Sequence, residues 1–502
     1  MQKFLLIISL MAIFSAKSQT LQTPSEITGF NQVTSYDELT NFVKLLDESS
    51  DILSVEIIGK SVLGRELYAL KFTDSYFSTN PSKIKVLIHA QQHGNEQSGK
   101  EGALLLVNKL ISPEYAYLFE RIDLVIVPQV NPDGSEKNAR HNSNNADMNR
   151  NHLIMTEPEV MALHQLFDTY QFEVTMDVHE YSPYSEDWMQ LGYRKNTDIL
   201  IGFNTNPAVS SKIRDFQKKH YLPFFNDYLS SRQITNGIYS PGGPPDSAYI
   251  RYSTFDINDG RQSFGIQNTF SFIQEGMNGE DNFKQNLSHR AQSQAAGMLA
   301  LLEFVYQNKK QIKKTVQKER SKLVKGNDIK EIPLQMEHVG NGQKMQLPAY
   351  AYHSKSDSMI IVNDFRPVVK PTLSMNKPYG YLIPKTQTEL VNWVHRQDFT
   401  IIDLSSIEKF YFEKLFISSV DSIDFEGDII PFPSITISQI ESSVKLDEYI
   451  FVQTRQLKGN LLILGLEPQS ELGLATYRQF SFLMEAESMF PVIRVRLVSS
   501  EK

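Results

Sequence analysis

The chain has 502 residues, 41% hydrophobic and 22% charged, an ordinary globular composition with room for two or more domains. A formal net charge of −8 leaves no footprint for nucleic acid. There is no cysteine, which excludes disulfides and thiolate zinc sites, so any metal centre must use His and carboxylates.

Residues 1–18 place one lysine before an apolar run from Phe4 to Phe14 and end in small residues. That order predicts a cleaved signal peptide and hence an exported protein, periplasmic or secreted. Without cysteine it cannot be a lipoprotein anchor. No later segment approaches the ~20 apolar residues a membrane helix needs, so no membrane span is expected.

The stretch SYDELTNFVKLLDESS has apolar positions at helical spacing. LSVEIIGKSV and RELYALKFT predict two strands joined around Gly64-Arg65. Residues 84–107, IKVLIHAQQHGNEQSGKEGALLLV, read as a buried strand, a Gly-bearing loop and a helix, with His93 and Glu96 on the loop. The apolar run at 122–130 ends in Asn131-Pro132-Asp133-Gly134, a turn signal. An Asn-rich, irregular surface loop follows at 139–152 and carries Arg140, Asn149 and Arg150. EPEVMALHQLFDTY predicts a helix opened by a capping box of Thr156 and Glu159.

FEVTMDVHE predicts a strand with His179 at its end, and SSKIRDFQKKHYLPFF a helix. Residues 237–268 are loop-rich. NTFSFIQEG predicts a buried strand ending at Glu275-Gly276, before a long helix over 282–307. The basic stretch 308–326 reads as a solvated helix end or linker and marks a domain boundary. Strands alternating with helices predict an α/β domain, a mostly parallel mixed sheet with helices on both faces, over residues 19–325. Short apolar runs with frequent Pro and Gly predict a smaller β-rich or α+β C-terminal domain over 326–502, with no metal-ligand constellation.

In an open α/β sheet, polar groups at the carboxyl ends of strands converge on one rim. His93 and Glu96, three residues apart, can bind one ion, and His179 would complete a His₂Glu set with an open position for water. Taken alone an H-x-x-E pair is a weak signal, and ordinary loop polarity is the better explanation. Glu275 is a candidate base for a metal-activated water, or a strand-end carboxylate that meets solvent. Arg140, Arg150 and Asn149 suit a carboxylate or an oxyanion, or form a solvated polar loop.

Five ordered motifs make the pattern specific: QQHGNEQSGKEG (91–102), NPDG (131–134), Arg140 ahead of ADMNRN (146–151), MDVHEYSP (176–183) and FSFIQEG (270–276). In order and context they resemble the M14 family of zinc carboxypeptidases. The resemblance implies one Zn2+ ion held by His93, Glu96 and His179, with Asp147 orienting a zinc-binding histidine. It implies Arg140 as the group polarising the scissile carbonyl and Asn149 and Arg150 as the pair holding the substrate's terminal carboxylate. Glu275 then matches the general base, and Tyr239 the mobile tyrosine that caps the bound C-terminus. The stretch from Tyr239 to Glu275 is longer than the family pattern, and Phe264 stands where an exported bacterial subgroup has Tyr. The segments 365–384 and 461–477 resemble the C-terminal tail of that subgroup.

The expected activity is therefore a zinc-dependent metallocarboxypeptidase acting on peptides with a free C-terminal carboxylate. Two rivals use the same residues differently: an amidase for peptidoglycan stem peptides or N-acyl amino acids, and an inactive zinc-binding recognition module.

Overall fold

A computed structural model describes residues 21–245, 247–404, 410–425, 428–440 and 444–498; the segment read as a signal peptide lies outside them. An eight-stranded mixed sheet carries the site. In chain order its strands are β1 (Leu53–Lys60), β2 (Glu66–Phe72), β3 (Ile84–Ala90), β4 (Ile122–Val127), β5 (Val174–Tyr181), β6 (Ile199–Phe203), β7 (Asn236–Ile238) and β8 (Phe270–Met277). They are arranged β1-β2-β4-β3-β5-β8-β6-β7. The central strands β4, β3, β5 and β8 are parallel, while β1–β2, β2–β4 and β8–β6 pair antiparallel.

Helices cover both faces, so the central strands read as continuous apolar runs rather than alternating ones. Val86 and Ile88 of β3 pack into one cluster with Leu104 and Val107 of helix α1 (Gln97–Leu110). Leu87, pointing the other way, joins Val160, Leu163 and Phe167 of helix α2 (Pro158–Tyr170). The second face also carries the chemistry, because His89, Asp177 and His179 share the parity of Leu87 and of its β5 partner Thr175.

Two local expectations are corrected. The capping box at Thr156 and Glu159 does not form: the N-cap is Glu157, with no side-chain cap bond, and Pro158 opens the helix. Glu159 instead accepts from the backbone N–H of Val62 (3.1 Å) and from Asn142 Nδ2 (3.3 Å), so tertiary partners take the carboxylate that a cap would use. The helix expected over 282–307 is helix α3 (Leu287–Lys325), 39 residues long, which runs through the basic stretch and ends at Gly326 with φ +67°. Ile312, Val316, Glu319 and Leu323 are buried along one face of that stretch, so packing at helical spacing carries it onward.

The described residues of 327–498 are β-rich with short helices, including a long antiparallel pair of Phe410–Phe425 with Asp428–Ile440. They join the preceding region edge to edge. Met345–Ala351 pairs with Tyr193–Lys195, and Phe365–Arg366 pairs with Ile250–Arg251. Trp393, Leu461 and Leu464 belong to the same apolar cluster as Ile199, Phe203 and Leu301.

Candidate active site

The loop after β3 is built around backbone contact that only glycine allows. A Cβ on Gly94 would lie 2.2 Å from the carbonyl carbon of Gly134 and 2.4 Å from the nitrogen of Ser135, so the HGNE and NPDG loops touch main chain to main chain. Gln91 adds the side-chain tie, its Nε2 donating to Gly94 O (3.1 Å), Gln97 Oε1 (2.9 Å) and Ser135 Oγ (3.0 Å). Asp133 of the NPDG turn serves the scaffold: it is buried and accepts from Ser61 Oγ (2.9 Å), Leu63 N (2.9 Å) and Arg65 Nη1 (2.6 Å).

With the loop set, Glu96 becomes the N-cap residue of α1 and His179 stands near the end of β5. Glu96 Oε1 lies 2.7 Å from His93 Nδ1 and Oε2 lies 2.9 Å from His179 Nδ1. All three side chains are buried, and one ligand atom from each falls within 4.8 Å of the others. Among the described residues no other group of three His or carboxylate side chains is so placed. The donor set fits a cation. The two Nδ1 atoms face each other at 3.2 Å, and nitrogens each ~2.0–2.1 Å from one tetrahedral zinc lie about 3.3 Å apart. Burial opposes ionisation of Glu96, but the two histidines outweigh it and hold the carboxyl well below the usual carboxylate range.

Each histidine is backed by an aspartate on its other nitrogen. His93 Nε2 lies 3.1 Å from Asp147 Oδ1, and Asp147 Oδ2 also accepts from Arg140 Nε (3.1 Å) and Nη2 (2.9 Å). Burial disfavours the charge on Asp147; the His93 hydrogen bond and the nearby arginines still keep it well below the carboxylate range. His179 Nε2 lies 2.9 Å from Asp177 Oδ1, whose other oxygen accepts from Gln92 Nε2 at 2.8 Å. Asp177 and Gln92 stand inside the motifs MDVHEYSP and QQHGNEQSGKEG without a role read from the sequence. The available signal was the i, i+2 spacing of Asp177 and His179 on one strand, which puts both on one face.

The 3₁₀ turn Met148–Arg150 brings Asn149 and Arg150 to the same cleft. Asn149 Oδ1 accepts from the backbone N–H of Gly260 at 2.8 Å, which leaves the amide's N–H donors to the pocket. Gly260 is required there, since a Cβ would lie 2.6 Å from both Asp177 Oδ2 and Gln92 Nε2. Glu275 is the register partner of His179 on the neighbouring parallel strand. Burial pushes it up to about 7, with His179 pulling it down and Glu96 pushing it further up. Tyr239, half-buried, lines the cleft with these groups, as do Thr254, Asp259 and Ile273. The cleft has a volume of about 260 Å³. Phe264 is elsewhere, stacked on Phe167 with ring centroids 4.4 Å apart behind the site. All nine residues singled out in the sequence therefore meet at one cleft or directly support it.

Comparison with known proteins finds similarity to carboxypeptidases. Residues 39–219 match the family model described as zinc carboxypeptidase. Carboxypeptidase 2 of Trichophyton rubrum is 22% identical over 504 residues, covering 96% of this chain and 91% of that protein. Carboxypeptidase D of Homo sapiens is 29% identical over 248 residues, 43% of this chain but only 18% of that much longer protein. Among solved structures, a metallo-carboxypeptidase from Burkholderia cenocepacia aligns over 54% of this chain and 68% of its own, with 22% identity and a TM-score of 0.43. On the family match and the near-full-length relative, residues 39–219 of this chain are similar to the zinc carboxypeptidases, and the chain as a whole is similar to a carboxypeptidase at 22% identity.

Proposed function

We propose that the protein removes C-terminal residues from peptides that carry a free terminal carboxylate. The observation that carries this reading is the convergence of His93, Glu96 and His179 with Glu275, Arg140, Asn149 and Arg150 on one cleft. One zinc ion held by His93, Glu96 and His179 would supply Lewis-acid polarisation and a water of lowered pKa. Glu275 takes a proton from the attacking water and delivers it to the leaving amine, a role suited to a carboxyl poised near neutrality. The Arg140 guanidinium stabilises charge on the scissile carbonyl oxygen. Arg150 pairs with the substrate's terminal carboxylate while Asn149 donates its amide N–H to it, and Tyr239 closes over the bound end.

Residues 19–325 form the catalytic unit in this reading and 326–502 the accessory unit. Action outside the cytoplasm rests on the leader-like order of residues 1–18 alone. The test is a pair of peptides that differ only at the C-terminus. Hydrolysis of the free acid, with loss of at least tenfold in kcat/KM for the amide, is expected. Equal rates on the two, or hydrolysis confined to acyl amino acids or cell-wall stem peptides, would reject the carboxypeptidase reading.

A further inference from the structure

Where the backbone after the Arg150 turn finds its hydrogen bonds is informative. The carbonyls of Arg150, His152, Leu153 and Ile154 all accept from side chains of the C-terminal region. Tyr477 Oη donates to Arg150 O at 3.2 Å, and Gln397 Nε2 donates to His152 O (3.1 Å) and Leu153 O (2.7 Å). Trp393 Nε1 donates to Leu153 O at 2.7 Å, and Arg396 Nε to Ile154 O at 3.2 Å. These four carbonyls thus find their partners on residues more than 200 positions later.

Tyr477 has a second contact, which decides its role. Its hydroxyl accepts from Asn258 Nδ2 at 2.9 Å, while the carbonyl of Asn258 accepts from the backbone N–H of His152 at 3.2 Å. Two residues on, the N–H of Gly260 holds Asn149 Oδ1. The Tyr477 hydroxyl therefore joins the turn carrying Asn149 and Arg150 to the segment that lines the cleft at Asp259. The same segment is buttressed at Phe255, whose ring meets that of Phe425 in the long antiparallel pair at 5.9 Å.

We infer that the C-terminal region is part of the carboxylate-binding site, with Tyr477 as the positioning residue that sets Arg150 against the 254–260 segment. The inference rests on the proposed role of Arg150 in holding the substrate's terminal carboxylate. Tyr477 does not touch the reacting atoms, so its removal acts on binding of the free carboxylate and leaves the chemical step alone.

The test is Tyr477→Phe in the full-length, zinc-loaded protein, which deletes the hydroxyl and keeps the ring. KM for a free-acid peptide should rise about fivefold, the worth of one ordinary hydrogen bond, with kcat within twofold and zinc content unchanged. Double-mutant coupling separates positioning from general loosening. In an Arg150→Ala background, Tyr477→Phe should add no further rise in KM. An unmoved KM in Tyr477→Phe, or the same rise with and without Arg150, overturns the inference. If Tyr477→Phe does not fold, Gln397→Met decides by the same KM-against-kcat split. Wild-type protein that fails to distinguish free-acid from amidated peptides sinks the reading of Arg150 itself. Discrimination by the wild type with an unmoved KM in the variant sinks only the role of Tyr477.

Discussion

Replacing Asp177 by Asn would test how the buried polar layer under the site supports its histidine. Asp177 Oδ1 lies 2.9 Å from His179 Nε2 and 3.2 Å from His89 Nδ1, and Oδ2 accepts from Gln92 Nε2 at 2.8 Å. An asparagine has one acceptor and one donor for these two directions. If its oxygen faces His179, its NH₂ opposes the NH₂ of Gln92, which cannot turn over without giving up the 2.7 Å contact of its Oε1 with His152 Nε2. If its oxygen faces Gln92, its NH₂ opposes His179 Nε2, which must carry a proton when Nδ1 offers its lone pair to a metal. Either way one donor pair is left facing itself, and loss of such a support behind a metal-bound histidine costs about 10–100-fold in metal affinity, roughly 1.4–2.7 kcal/mol. Zinc affinity by competition with a chelator of known strength reads this directly, with circular dichroism to show that the variant is folded. A folded variant with affinity within twofold of wild type would refute the claim that Asp177 fixes His179.

Arg150→Ala should raise KM for free-acid peptides roughly 30–100-fold, the worth of a charge-assisted pair, and change little for an amidated peptide; an equal effect on both would remove Arg150 from carboxylate recognition. Stability should fall with acid through His338, which is buried against Phe255 and held at about 3, chiefly by burial and then by Arg251. Above pH 6.5 it is neutral in both states and contributes no pH dependence. Below that the unfolded chain takes up a proton the folded one refuses, which costs up to about 2.7 kcal/mol by pH 4.5. Denaturant unfolding at pH 7 and 4.5 should show a smaller acid loss for His338→Phe than for wild type, and parallel losses would contradict the assignment. Gly94→Ala should destabilise by at least about 3 kcal/mol, since its Cβ has only backbone to displace; an unchanged melting temperature would show that the HGNE and NPDG loops do not meet as described.

The candidate metal ligands and their neighbours are legible because their signals are local. His93 and Glu96 sit between a continuous apolar strand and a helix, and His179 and Glu275 end strands of the same kind. Parallel strands bring such ends to one rim, so the convergence followed from the class of sheet. Asp177 was readable in principle from its spacing to His179, yet a buried aspartate beside apolar residues gives no hint of its partner. The capping box failed because Glu159 serves Val62 and Asn142, residues distant in sequence. Helix α3 was cut short because its lysines mask the spacing of Ile312, Val316 and Leu323. Tyr477 carried no signal, since its two partners lie 327 and 219 positions away.

The central claim is a hydrolase in which His93, Glu96 and His179 hold one zinc ion and Glu275 moves the proton. Its most direct test is Glu275→Gln, assayed for zinc content and for hydrolysis of a free-acid peptide on the same preparation. Glutamine keeps the shape of the side chain but cannot act as a base, so the expected result is one equivalent of zinc with kcat down by about 10²–10⁴. Hydrolysis at the wild-type rate with zinc in place would contradict the account.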